Sequence, residues 1–397
     1  MIQTDNKNLC CGCETCGLIC PKSCISFECD SLGHKYPRVD KNLCVNCRKC
    51  ESVCPIQKNY VGHAIGNEAH IVYSKDENIR RRGSSGGVFE TIATWIVEHE
   101  GSVFASRFDD NLKLRCFEAY TKEDVKTLTK SKYLQSECID SFPIMKQKIQ
   151  DGKKVLFVST PCQVAAFKSY LGKLANNDNV FLVDFFCHGV PSQNFFDKCK
   201  DYVEKKEGIS IKEYEFRSKI KNGTTPHYYS LTYEKKRKIK RKTSLYLLDP
   251  FYLGFQKYIT LRDCCYKCPF GKGNHSADVT MGDFHNVDRY INGINRFDGC
   301  STVLINSEKG LFIWNQIKDS LHVHDIDINV LYQDKEIYSG GTQEPKQRQL
   351  FLADIHSGMP FDTLVRKWLN GRTDCKKRIY YSMPNFLRNA VKKLCGM

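Results

Sequence analysis

The sequence predicts an α/β protein in two parts, a small cysteine-rich α+β module followed by a larger α/β domain with a mixed, largely parallel sheet. Three observations point there. The run C-x2-C-x2-C-x3-C-P occurs twice near the start, at Cys10, Cys13, Cys16, Cys20 with Pro21 and at Cys44, Cys47, Cys50, Cys54 with Pro55. Further along, apolar strand-like stretches alternate with helical patterns, the order that builds a parallel sheet. Cysteines recur where those strands should end, at Cys162 and Cys187, and strand ends are where open α/β sheets bind ligands.

The doubled run has a specific chemistry. Three thiolates at every third position curl round one corner of an iron-sulfur cubane, and the fourth, on a stiff Cys-Pro turn, reaches the other cluster. This is the signature of a two-cluster ferredoxin module. The crossing assigns Cys10, Cys13, Cys16 and Cys54 to one 4Fe-4S cluster, and Cys44, Cys47, Cys50 and Cys20 to the second. Cys11, Cys24 and Cys29 are left over. A disulfide framework and a pair of zinc knuckles also concentrate cysteine. Zinc sites, however, usually separate two C-x2-C pairs by a longer loop. The module is expected over residues 1–60, with Cys-Pro, Asn-Tyr and two glycines interrupting any periodic pattern across 57–66.

Composition narrows the class. A chain of 397 residues has room for two or three domains. No apolar stretch nears the roughly 18 residues that span a bilayer, and the polar residues 1–8 run straight into the first cysteine. The expectation is a cytoplasmic protein without a signal peptide or transmembrane segment, whose many thiols are metal ligands in a reducing compartment. The net charge is +15, with a dense basic run from Lys235 to Lys242. Strand-like stretches flank that run, so it reads as a solvated hairpin. No nucleic-acid-binding pattern accompanies it, which excludes that class and favours a ferredoxin-like or acidic redox partner.

In chain order, residues 69–73 read as a strand, 86–99 as a helix and 102–108 as a strand. Residues 155–159 read as a buried strand entering a helix at about Cys162, and 179–186 as another buried strand. Downstream come a C-x2-C at Cys265 and Cys268, a strand over 278–284 ending in Gly-Asp, a strand over 300–306 and a helix over 308–317. From about residue 331 the chain reads as loop-rich and ends in a basic segment. There Leu387, Val391 and Leu394 share a helical face, suited to docking on the chain's own domain or to peripheral membrane contact with a lipid-linked substrate. The domain from 67 to 397 thus divides into 67–150, a cluster-bearing part over 151–330, and an extension over 331–397.

Six ordered motifs carry a family resemblance: Ser84-Ser85-Gly86-Gly87-Val88-Phe89, Ser131-Lys132-Tyr133, Thr160-Pro161-Cys162-Gln163, Cys187-His188-Gly189-Val190-Pro191-Ser192, Cys265-Tyr266-x-Cys268 and Gly282-Asp283-Phe284. With them the chain resembles the coenzyme F420 hydrogenase/dehydrogenase beta-subunit family, in the bacterial form fused to a two-cluster ferredoxin module. The resemblance implies an iron-sulfur flavoprotein that passes electrons between 4Fe-4S clusters, FAD and an organic partner. The chain departs from the pattern at Ser159, where Gly is usual, at Cys264, where Ser is expected, and at His285-Asn286, where Trp-Gly is common. The substrate face is therefore not carried over, and the substrate, small or lipid-linked, stays open.

With the resemblance in hand, Cys162, Cys187, Cys265 and Cys268 match in number the ligands of a third 4Fe-4S cluster, with a thiolate zinc site as the competing reading. Cys116, Cys138 and Cys199 read as buried core cysteines. Ser84, Ser85, Gly86 and Gly87 open a helix after Arg80, Arg81 and Arg82, which suits a flavin pyrophosphate. Lys132 and Tyr133 then approach the flavin, and Thr160, Gln163 and Asp283 are taken as further cofactor contacts. Lys132, His188 and Asp283 are the catalytic candidates, each with an ordinary structural role as its alternative. Two other functions remain open: an electron-transfer subunit with no substrate of its own, in an oligomer with a separate enzyme, and a non-catalytic iron-sulfur protein.

Overall fold

The structure is a computed structural model, and it describes residues 2, 5–57, 68–219, 228–271, 273–284, 287, 290–294, 298–333 and 341–371, with positions 379, 380, 383, 387 and 391. The expected module boundary, His285 and most of the C-terminal amphipathic segment lie outside the described residues.

Between the two cysteine runs, β1 (Ile25–Cys29) and β2 (Lys35–Val39) form an antiparallel ribbon. Each run ends in a four-residue helix, Thr15–Leu18 in the first and Lys49–Ser52 in the second. Gly12 and Asn46, and likewise Glu14 and Arg48, take left-handed backbone at the same step of each run. The repeated sequence is therefore a repeated backbone, which turns sharply where left-handed φ lets it.

The larger domain is built on eight strands: β3 (Glu68–Ser74), β4 (Ser102–Phe108), β5 (Leu114–Ala119), β6 (Val155–Val158), β7 (Val180–Phe185), β11 (Val279–Asp283), β12 (Ser301–Ile305) and β13 (Leu321–Asp325). Their order across the sheet is β13-β3-β12-β11-β7-β6-β4-β5. The sheet is mixed, as expected. β4, β6, β7 and β11 pair in parallel at its centre, and antiparallel strands extend both edges.

The side-chain period of a strand explains the two layers on this sheet. Along β6, Leu156 and Val158 join the core containing Ile92, Ile96 and Trp314, while Val155 and Phe157 join the one containing Phe142 and Phe167. Helices Val88–Glu98 and Glu308–Ile317 thus cover one face, and helices Ser141–Gln150 and Pro161–Leu171 the other. Burial on both faces accounts for the unbroken apolar run of β6.

A second sheet, ordered β10-β9-β8, comprises β8 (Ser210–Glu215), β9 (Tyr228–Lys235) and β10 (Lys238–Leu245). The basic run is the turn and outer strand of this hairpin, with Lys236 and Arg237 both at positive φ, as a two-residue hairpin turn requires. The stretch after residue 331 differs from the expected loops. It contributes helices Gln347–His356 and Phe361–Trp368, whose Phe351, Leu364 and Val365 join the core beneath this sheet. Helices this short are held by packing, which local sequence does not display. Among the described residues no helix is long and apolar enough to cross a membrane.

Candidate functional site

The sulfurs of the module gather in two groups. The Cys16 thiol has Cys13, Cys10 and Cys54 as electrostatic neighbours, so the last cysteine of the second run joins the first run. Burial, then these neighbours, pushes Cys16 up, and burial pushes Cys54 up to about 11. Cys20, conversely, lines one cavity with Cys44, Cys47 and Cys50. Cys24 lines it too, its sulfur 3.4 Å from that of Cys20.

A third group forms in the larger domain. Cys162 and Cys187 follow the adjacent parallel strands β6 and β7. Thr160 stands just before the helix that holds Cys162, with Pro161 at its first position, where a fixed φ starts a helix at no cost in hydrogen bonds. Cys187 has Cys265, Cys162 and Cys268 as its sulfur neighbours. Burial, then Cys162 and Cys265, pushes the Cys268 thiol up to about 12. Thiolate-only donor sets of this kind suit zinc or iron-sulfur clusters. Among the described residues no group of three or more His, Cys, Asp or Glu side chains is arranged to hold a metal ion.

The first and third groups share one core. Cys11, Cys16, Cys54 and Cys264 are buried together, with Cys13, Cys162, Cys265 and Cys268 packed against them. Cys11 is buried in the core that Cys13 and Cys162 pack against, and both sulfurs, with burial, push its thiol up. Cys264 is buried in the same core, and its neighbour Cys265, with burial, pushes its thiol up. Cys11, left over by the ferredoxin pattern, and Cys264, where the family pattern has Ser, therefore both lie in the core that the candidate ligand sulfurs share.

Arg262 and Gln135 fasten this junction. Gln135 Nε2 donates to the carbonyls of Cys11 (3.1 Å) and Gly12 (2.7 Å). Arg262, 1% exposed, donates to the Cys10 carbonyl (2.7 Å), Cys10 Sγ (3.3 Å), the Lys35 carbonyl (2.5 Å) and Gln135 Oε1 (3.2 Å). A Cβ on Gly12 would lie 2.5 Å from both Arg262 Nη1 and Gln135 Nε2, so only glycine admits the clamp. No carboxylate pairs with Arg262 among the described residues, and Asp263 beside it is bound to Arg348. A buried guanidinium without a counter-charge is costly, and a thiolate-bound cluster beside Cys10 would supply one.

Along the same edge of the sheet, past the end of β11, the helix-opening motif meets a group of cations. Ser131 N–H donates to Ser84 Oγ (2.7 Å), joining two motifs far apart in the chain. Arg217 donates to the Tyr133 hydroxyl (3.1 Å) and the Ser84 carbonyl (3.1 Å) and forms an ion pair with Asp283. Its own backbone is left-handed at φ 57, a conformation that surrounding structure must hold in a bulky residue. Lys219 Nζ donates to the carbonyls of Arg80, Ser85 and Asp298. Burial, then Arg217 and Arg80, pulls Lys219 down to about 7. Lys132, bonded to the Leu128 and Thr129 carbonyls, falls to about 7 through burial, then Lys130 and Arg107. A patch of crowded cations with one ion-paired carboxylate is suited to an anion.

Other candidates have protein partners. Ser85 Oγ donates to the Cys300 carbonyl and Gly86 N–H to Ser301 Oγ. A Cβ on Gly86 would meet Val72 O at 2.5 Å, so this glycine is required by the sheet itself. Gln163 donates to the Ser136 carbonyl (2.7 Å) and accepts from Ser159 (2.5 Å) and Thr160 (3.2 Å). The His188 carbonyl accepts from Thr342, and its ring stacks near Tyr258. Cys138 and Cys199 are buried, and Cys116 is half-buried. Arg262, Gln135, Arg217 and Lys219 are absent from every motif. Arg262, two residues before Cys264, and Gln135, two residues after Tyr133, stand near such motifs, but nothing in the sequence pairs them.

Residues 152–329 match the family model that describes the C terminus of the beta subunit of coenzyme F420 hydrogenase/dehydrogenase, and residues 36–63 match a 4Fe-4S binding domain. The chain thus joins a 4Fe-4S binding domain to a region of that redox family, the make-up of an iron-sulfur electron-transfer subunit. No curated protein matches. Among solved structures, a chain of the F420-reducing [NiFe] hydrogenase complex from Methanosarcina barkeri is 20% identical, with a TM-score of 0.46, covering 70% of this chain and 90% of that one.

Proposed function

We propose that this chain, whose residues 152–329 belong to the coenzyme F420 hydrogenase/dehydrogenase beta-subunit family, is an iron-sulfur flavoprotein oxidoreductase acting on an organic substrate. Cys10, Cys13, Cys16 and Cys54 would hold one 4Fe-4S cluster, Cys20, Cys44, Cys47 and Cys50 a second, and Cys162, Cys187, Cys265 and Cys268 a third. The clusters supply one-electron carriers, and FAD supplies the two-electron chemistry that organic substrates need. The observation that carries this reading is the shared core in which Cys11, Cys16 and Cys54 are buried with Cys13, Cys162, Cys265 and Cys268 packed against them, which supports one conduction path between the module and the larger domain.

The chain's own residues divide the remaining work. Lys22, Lys41, Arg48 and Lys49, exposed with Leu43 and Val45 around the Cys44 end, suit docking by an acidic redox protein. Arg217, Lys219 and Arg80 bind the flavin's phosphates, while Ser84 and Tyr133 are oriented by Arg217. Lys132, poised near neutrality, is the group we assign to holding or releasing a proton beside the flavin. His188 and Asp283 are positioned by their partners at the rim of the same region.

Anaerobic purification of the full chain, with iron, sulfide and flavin measured on one sample, tests this. About twelve irons with matching sulfide and one FAD per chain are expected for three clusters. Lys219→Met should lose flavin and keep iron. Zinc without sulfide, or full flavin content in folded Lys219→Met, would contradict the assignment.

A further inference from the structure

Burial and charge act in opposite directions on the cysteine group around Cys10. Cys16 and Cys54 are buried and Cys10 and Cys13 half-buried, whereas Cys47 is exposed and Cys20, Cys44 and Cys50 are half-buried. A cluster gains negative charge when reduced, so exclusion of water makes the inner one harder to reduce than the outer one. By burial alone, the step from the Cys44 end to the Cys10 end would run uphill.

Among the described residues, Arg262 is the charge aimed at the inner sulfurs. Its Nη2 lies 3.3 Å from Cys10 Sγ, its Nε bonds the carbonyl of the same residue at 2.7 Å, and the guanidinium carbon sits 4.3 Å from the centre of the Tyr36 ring. Tyr36 blocks solvent on that side, being itself buried. At the matching step of the second run, Cys44 Sγ has the uncharged Asn46 Oδ1 at 3.8 Å instead. The nearest acid in sequence, Asp263, is held by Arg348 at 2.6 Å, and Glu14, whose carboxyl also feels Arg262, is paired with Lys35 at 3.5 Å. A hydrogen bond and a positive charge on a ligand sulfur are two of the protein's means of raising a cluster's potential.

We propose that Arg262 sets the reduction potential of the cluster held by Cys10, Cys13, Cys16 and Cys54, offsetting its burial so that electrons pass inward from the exposed cluster. The inference rests on the reading that the module holds two clusters. One electron leaves the outer cluster and enters the inner one, no proton moves, and the outer cluster is refilled by the acidic redox protein. Arg262 acts through Cys10, so it is a positioning residue with an electrostatic effect.

The test is a redox titration of the full chain followed by low-temperature EPR, with the inner signal identified as the one altered by Cys10→Ser. Arg262→Gln should make the inner cluster harder to reduce by about tenfold in its one-electron equilibrium, about 59 mV, and leave the outer signal in place. Arg262→Lys, which keeps the charge, should fall between Arg262→Gln and the wild type. It also serves if the glutamine variant fails to fold. Gln135→Ala, which removes one acceptor of Arg262 but keeps its charge and its bond to Cys10 Sγ, should shift the potential far less than Arg262→Gln. Equal potentials in the wild type and Arg262→Lys and Arg262→Gln, or a shift of the same size in Gln135→Ala, would overturn the role of Arg262. Absence of any cluster signal in the wild type would instead overturn the cluster reading beneath it.

Discussion

The two cysteine runs share spacing, a left-handed step before the same short helix and a Cys-Pro ending, yet they sit in different surroundings. The first is sealed beneath the larger domain, with Arg262 and Gln135 fastened to its backbone and Cys11 wedged toward Cys162. The second lies at the surface, with Leu43 and Val45 more than half exposed among lysines and an arginine. One motif thus yields an inner and an outer site, and the difference comes entirely from residues outside the motif. That division is what an electron path needs, an accessible end for a partner and a protected end near the chemistry.

Removing a crossed ligand tests the comparison with the largest effect. Cys54→Ala should cost about four irons and abolish the signal altered by Cys10→Ser, although Cys54 belongs in sequence to the outer run. Loss of the outer signal instead would break the pairing. Reversing the charge at Lys41, Arg48 and Lys49 together should slow electron uptake from an acidic donor by roughly tenfold at low salt. Iron content should stay constant, and the effect should shrink as salt is raised. An unchanged rate in stopped-flow mixing would mean that partners dock elsewhere.

Smaller changes sharpen the contrast. Gln135→Ala removes two bonds to the inner loop and should speed chelator-driven iron loss from the inner cluster alone, consistent with about 1–3 kcal/mol of local stability. A pH dependence is expected at Lys132. Its folded value of about 7 lies below the ordinary lysine value, so above pH 7 the unfolded chain binds more protons and stability rises with pH, up to about pH 10.4. Lys132→Met should remove that rise, and its stabilising effect on the flavin-free chain should be greatest at or below pH 7. Parallel denaturation curves across that range would place Lys132 outside the buried cationic patch.

Much of this was legible in the sequence because it is local. The cysteine repeat, the apolar run of β6 and the thiols after β6 and β7 each reside in a few consecutive residues, where spacing and strand period speak directly. The hairpin with Lys236 and Arg237 at its turn was legible for the same reason. Arg262, Gln135, Arg217 and Lys219 were not, because each acts on groups many dozens of residues away, and a lone Arg or Gln has no period to betray it. Gly86 shows the converse. Its place in a Ser-Gly loop suggested a phosphate, but Val72 O and Ser301 N press against it from neighbouring strands, so the sheet already explains it.

An electron path through this chain requires the buried run to stand between the exposed run and the Cys162 group, with Cys11 at the contact. Low-temperature EPR of the fully reduced full chain tests that placement directly, because paramagnetic clusters in neighbouring sites would split one another's signals. A split signal from the Cys10 cluster is expected, and it should simplify in Cys187→Ala, where the third cluster is lost. A signal that is unsplit, or identical in the two proteins, would contradict the path.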